Sequence, residues 1–131
     1  MPSGGAAIRT SPTEVRVFSD NPEACPLAIT EGPGRAWAVV WPAVGAHLRS
    51  MHRISLDPGG RTIAMSHPME AVYYLITGSA VVEDLDQGTS ENLIQGSMFL
   101  VDPGTTYRVV AEGRPAEIVG GPCPPDPTLY S

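Results

Sequence analysis

The chain has 131 residues, a net charge of −6 and a pI near 4.8, which leaves room for one packed domain and not two. All eight basic residues are arginines, and they are scattered. No basic stripe exists for a phosphate backbone, and the absence of lysine removes Schiff-base and P-loop chemistry.

No apolar run approaches the ~18 residues of a membrane span. The start, MPSGGAAIRTSPTE, lacks the apolar core of a secretory signal. The expectation is therefore a cytoplasmic protein with no membrane or nucleic-acid partner. Residues 1–13 read as a disordered lead-in and 14–131 as a single domain. Cys25 and Cys123 each stand beside a proline. They read as free thiols in a reducing compartment, with a bridge between the terminal arms left open.

Fourteen glycines and fourteen prolines punctuate short apolar runs, the pattern of a β-rich chain with many turns. Glu14–Phe18 alternates as a short edge strand, and residues 19–25 form a loop. Trp37–Trp41 is a strand that Pro42 ends. From His47 to Leu56, Leu48, Ser50, His52, Ile54 and Leu56 share one face. After the Asp57–Gly60 turn come strands at Arg61–Met65 and Val72–Ile76, a turn at Gly78, and a strand at Ala80–Leu85. Asp86-Gln87-Gly88 is a hairpin turn. Asn92–Ile94, Met98–Val101, Tyr107–Ala111 and Ala116–Val119 complete the set. The tail, GGPCPPDPTLYS, is too rich in proline for a helix or a central strand. Eight or more short strands without helical periodicity predict an all-β sandwich or jelly roll.

The stretch from Met65 to Gly78, MSHPMEAVYYLITG, organises this reading. It resembles the first motif of the cupin superfamily, which runs His-x-His, three residues, Glu, six residues, Gly. Anchored on Gly78, those ligand positions hold Met65, His67 and Ala71. The stretch from Gly96 to Gly104, GSMFLVDPG, resembles the second motif, with Asp102 in place of its first proline and Tyr107 in place of its histidine. The resemblance implies a cupin β-barrel, a double-stranded β-helix of jelly-roll type. Glu70–Tyr73, Val82–Leu85 and Gly96–Asp102 further resemble ectoine synthase, a cupin cyclase that closes a ring by losing water. In that family a Glu, a Tyr and a His hold an iron. The Tyr position is Phe99 here, and the His position is Tyr107. The Glu is Glu70 if a bulge is allowed, or Ala71 without a gap. The gapless alignment puts Glu70 at the rim, because one residue of slip exchanges the faces of a strand. With one imidazole left in the set, no metal and no cofactor is expected.

Alternation from His67 turns Ile63, Met65, Tyr73 and Leu75 inward, and the second motif adds Phe99, Val101, Tyr107 and Val109. The pocket is apolar with few polar groups, as small-molecule sites are. His67 is the candidate general acid or base, with His52 on a neighbouring strand. Tyr73 and Tyr107 are candidates to orient a substrate or to stabilise an oxyanion. Met65, Phe99, Leu75, Glu70 and Ile54 are the candidate substrate contacts. Plainer readings stand beside these: core aromatics for the tyrosines, a vestigial ligand for His67, a core histidine for His52 and a solvated strand face for Glu117.

The expected function is a small-molecule enzyme: a cyclase, dehydratase or isomerase using acid–base chemistry without a metal, in secondary metabolism. The alternative is a non-catalytic cupin that binds a small molecule. Trp37 and Trp41 exceed what such a barrel needs inside, so a homodimer is expected.

Overall fold

The computed structural model describes residues 13–131. The lead-in expected over residues 1–13 lies outside them but for Thr13. Ten strands form among the described residues, in the order β1 (Pro26–Leu27), β2 (Thr30–Glu31), β3 (Gly34–Val40), β4 (Met51–Leu56), β5 (Arg61–Thr62), β6 (Glu70–Asp84), β7 (Thr89–Ile94), β8 (Met98–Val101), β9 (Tyr107–Val110) and β10 (Ala116–Cys123). Two short 3-10 turns, Pro42–Val44 and Pro127–Tyr130, are the helical elements among them.

Strand β6 holds the architecture together. Its first half pairs antiparallel with β10 and β8, and its second half with β7 and β9. One sheet therefore runs β1-β3-β4-β10-β6-β8 and the other β2-β5-β9-β6-β7, a nearly closed all-β barrel of jelly-roll type. Gly78 was expected to turn the chain, but the strand passes through it. Two devices bend it instead. Opposite Glu117 and Ile118, Ile76 is skipped in the ladder, a bulge. Gly78 then adopts φ +89°, and a Cβ there would stand 1.9 Å from the Pro115 carbonyl oxygen. The bulge also changes the phase of the strand. Ala71, Tyr73 and Leu75 are buried before it, and Ala80 after it, with Val82 packed on the core. One strand thus turns an apolar face inward in both sheets.

Several expectations are corrected. Residues 14–18 form no strand, and Val15 and Val17 are almost fully exposed. Leu48 is exposed because it precedes β4, whose inward face is His52, Ile54 and Leu56. The predicted strand Arg61–Met65 is two residues of β5 plus a bridge from Met65 to Tyr107. The glycines and proline of the tail do enter a central strand: β10 lies between β4 and β6 and runs through Gly120, Gly121 and Pro122. Pro122 has no N–H to offer, but the ladder to β4 has ended at Gly120, and its carbonyl accepts from the Ser50 backbone N–H and hydroxyl.

Both tryptophans are used within one chain. Buried Trp37 donates its Nε1–H to Asp20 at 2.5 Å and lies under the guanidinium groups of Arg35 and Arg53. Half-buried Trp41 packs on Tyr130. The exposed apolar side chains lie elsewhere, with Val72, Tyr74, Met98 and Leu100 on paired positions of β6 and β8. Cys25 and Cys123 are both free thiols.

Candidate functional site

His67 reaches the barrel interior from the loop between β5 and β6, and its side chain is almost fully buried. Both ring nitrogens are engaged. Nδ1 lies 2.7 Å from Asp126 Oδ2, and Nε2 lies 2.8 Å from the Tyr107 hydroxyl. The Tyr107 hydroxyl lies in turn 2.7 Å from that of Tyr73. The four side chains make one buried chain of hydrogen bonds, brought together from the β5–β6 loop, β6, β9 and the C-terminal tail.

The electrostatics set its direction. Burial alone would raise the Asp126 carboxyl, but hydrogen bonds from His67 and from the Thr128 hydroxyl and backbone N–H outweigh it and hold the group below its ordinary value. Asp126 is therefore a carboxylate at neutral pH, and His67 Nδ1–H donates to it. In the tautomer that carries its proton on Nδ1, Nε2 accepts from the Tyr107 O–H, and the Tyr73 O–H then donates to the Tyr107 oxygen. Burial pushes the Tyr73 phenol up to about 12. Tyr107 is driven well above its ordinary value, by burial first and then by Tyr73 and Asp126. Both phenols are neutral donors.

The second buried histidine, His52, is not part of this chain. Its Nε2 lies 2.6 Å from the Tyr130 hydroxyl, and its Nδ1 is buried without a partner. Gly121 passes so close that a Cβ there would stand 2.6 Å from Ser50 Oγ and 3.1 Å from His52 Nδ1. Burial first, and then the nearby His67, push the His52 imidazole down to about 4. Tyr130 is raised to about 12 by burial, against a hydrogen bond with Ser50. A buried N–H without an acceptor costs more than a bare lone pair. That favours the tautomer in which His52 Nε2–H donates to the Tyr130 oxygen, while the Ser50 hydroxyl donates to the Pro122 carbonyl at 2.6 Å.

Two cavities meet the first chain. One, of about 440 Å³, is lined by Tyr107, Phe99, Leu93 and Val101. The other, of about 380 Å³, is lined by Met65, His67, Asp126 and Tyr130. Phe99 also stacks on Tyr73, with centroids 5.1 Å apart. Of the expected site residues, His67, Tyr73 and Tyr107 thus come together, with Met65 and Phe99 beside them. Leu75 and Ile54 are fully buried in the core and line neither cavity. Glu70 is exposed. It precedes the bulge at Ile76 and alternates with inward Ala71 and Tyr73, so its side chain leaves the barrel. Glu117 faces outward and pairs with Arg53 at 2.6 Å and Ser55 at 2.5 Å.

Asp126 and Tyr130 were missed. Asp126 is the cap of the Pro127–Tyr130 turn, and the Asp-Pro-Thr sequence carries that local signal. Nothing local points it at His67.

Comparison with known families matches residues 52–119, just over half of the chain, to the family described as "Cupin domain". The chain belongs to the cupin family. Among solved structures, the barrel is similar to a predicted oxalate decarboxylase from Thermotoga maritima (20% identity, TM-score 0.67, 82% of this chain and 98% of that one). It is also similar to the polyketide cyclase RemF from Streptomyces resistomycificus (20% identity, TM-score 0.64, 85% of this chain and 80% of that one). A third is an uncharacterised double-stranded β-helix protein from Klebsiella pneumoniae (19% identity, TM-score 0.64, 85% and 91%). At these identities the likeness shows the cupin fold. No curated protein matches.

Many cupins hold a metal, so the donor set of this one bears on its chemistry. Ala71 has no donor atom, and Met65 offers only a neutral thioether. The Tyr107 phenol is held protonated, and both nitrogens of His67 are engaged within the protein. Among the described residues no three His, Cys, Asp or Glu side chains gather into a group able to hold a metal ion. The chemistry of these residues does not fit a metal.

Proposed function

We propose that this cupin is an enzyme that moves a proton on a small organic molecule, as a cyclase, dehydratase or isomerase, with Tyr107 as the group that meets substrate. The Asp126–His67–Tyr107–Tyr73 chain carries this reading. His67 has no free nitrogen, so it acts through Tyr107, which lines the larger cavity. As a base, the Tyr107 oxygen takes a proton from substrate while its own proton passes to His67 Nε2. The imidazolium so formed rests against the Asp126 carboxylate, and the Tyr73 O–H holds the Tyr107 oxygen in place. Reversal returns a proton to another substrate atom, which isomerises it, or to a departing hydroxyl, which leaves as water. No buried tyrosinate needs to persist at any stage.

That a fold neighbour is a polyketide cyclase supports the cyclase option, as does the resemblance to ectoine synthase. The second reading is a binding cupin without turnover, favoured by the fact that His67, Tyr107 and Tyr73 already hydrogen-bond to one another within the protein. Proton abstraction can be tested before the product is known. The protein is incubated in deuterated buffer with a panel of enolisable carbonyl compounds, and exchange is followed by NMR. Exchange above the blank, lost in Tyr107→Phe, supports the enzyme. Compounds that bind in the cavity without any exchange support the binder.

A further inference from the structure

The larger cavity carries a charge that the acid–base reading does not use. Its lining includes four acidic residues and no arginine or histidine; Glu83 alternates with core-facing Val82, and its carboxylate is turned to Arg108. They come from three elements: Glu83 and Asp84 on β6, Glu91 on β7, and Asp102 just after β8. Glu83 is neutralised by Arg108, whose Nε–H donates to it at 2.8 Å. Asp84 accepts from the backbone N–H groups of Asp86 and Gln87, which fixes its place without cancelling its charge. Glu91 and Asp102 belong to none of the ion pairs among the described residues. Farther in, the wall is aromatic and aliphatic, and the buried Tyr107 closes it. An anion entering here would leave water for a negative field and find no cationic partner. An ammonium group at the mouth would meet carboxylates while its ring lay against Phe99.

We propose that this cavity takes an aromatic-sized organic cation and rejects carboxylates and phosphates. The Phe99 wall accepts the ring and the carboxylates of β6, β7 and the end of β8 hold the ammonium group. The proposal deepens the acid–base reading, since the same Tyr107 would meet the ligand, but its test requires no turnover.

Three probes of one ring system separate charge from shape: tryptamine, indole and indole-3-acetate, titrated into the full chain by ligand-detected NMR or calorimetry. Tryptamine should bind at least tenfold more tightly than indole-3-acetate at low salt, with indole between them. High salt should shrink that gap. Glu91→Gln with Asp102→Asn, both at exposed positions, should shrink it too while leaving indole unchanged. Phe99→Ala should weaken tryptamine and indole together. Equal or tighter binding of indole-3-acetate overturns the proposal, as does a charge preference that survives the double substitution, or no binding of any probe. Because the readout is binding, a cation-selective cavity with no deuterium exchange would sink the enzyme reading and leave this one standing. Exchange with a failed charge preference would do the reverse.

Discussion

Two histidines are buried to nearly the same degree in this barrel, and their surroundings give them opposite capacities. His67 has a carboxylate behind it and a phenol in front, so a proton gained at Nε2 has a counter-charge waiting. His52 has a tyrosine on one side and only the glycine backbone of β10 on the other. Burial first, and the nearby His67 second, push its pKa down to about 4, with no anion there to offset either. Burial alone therefore says nothing of role. What decides is whether the charged form of the ring has a partner. His67 is hydrogen-bonded to a phenol that lines the larger cavity, whereas His52 is hydrogen-bonded to Tyr130 of the tail.

The sharpest way to break this comparison is Tyr107→Phe, which keeps the ring and removes the one hydroxyl that joins His67 to the larger cavity. Proton exchange should fall by a factor of ~10²–10⁴, with thermal stability changed far less. His67→Ala should match that loss in rate, but it also leaves Asp126 buried without its imidazole, so its melting temperature should fall clearly. Sequence alone had given His67 the principal role and the tyrosines a lesser one. Full exchange activity in Tyr107→Phe would restore that ranking.

Asp126→Asn probes the same chain from behind. The amide removes the counter-charge, so the rate should drop by a smaller factor, about 10–100-fold, and the pH–rate profile should change in shape. A loss of rate with an unchanged profile would make Asp126 merely structural. Because the folded state depresses the Asp126 pKa, its stabilisation is present above the ordinary carboxylate value and lost as pH falls through the folded one. The Asn variant should lack that acid-side loss.

His52 supplies the matching test on the other side. Its folded pKa lies below its unfolded value, so the unfolded chain binds the extra proton first. Stability is then full above pH 6.5 and declines as pH falls towards 4, by about 3 kcal/mol for a fall from 6.5 to about 4. Denaturant titrations across that range should show the decline in the native chain and a flatter curve in His52→Gln. A flat native curve would mean that His52 finds a counter-charge after all.

The smallest expected effect is that of Tyr130→Phe. It should cost about 1 kcal/mol of stability, the usual net worth of one hydrogen bond. Exchange activity should stay within twofold, since the stacking on Trp41 survives. A large loss of activity would place the two histidines in one functional unit.

The alternation of β4 was legible within the strand, because His52, Ile54 and Leu56 turn inward as their spacing demands, with Ser50 buried just ahead of it, but the same pattern failed at Leu48, which lies before the strand and is exposed. The sequence leaves the orientation of Glu70 open between rim and pocket, and the position of the bulge at Ile76, after Glu70 rather than before it, is what turns its side chain outward. The course of β6 was less legible. A glycine at positive φ turns a chain in one setting and bends a continuous strand in another, and only the pairing of Gly78 with Ala116 decides which. The tail was misread for a related reason. Proline in a strand is excluded only where its nitrogen faces a partner, and Pro122 lies beyond the end of the β4 ladder.

The sequence by itself determined the cupin barrel and the inward set of His67, Tyr73, Tyr107 and Phe99. Periodicity and turn chemistry act over a few residues, and both motifs lie in the contiguous stretch from Met65 to Tyr107. Only the tertiary structure decided what His67 touches. Asp126 is 59 residues away and Tyr107 is 40. A hydrogen bond depends on distances of tenths of an ångström between side chains, and no local pattern in the chain records which segment will close over the barrel.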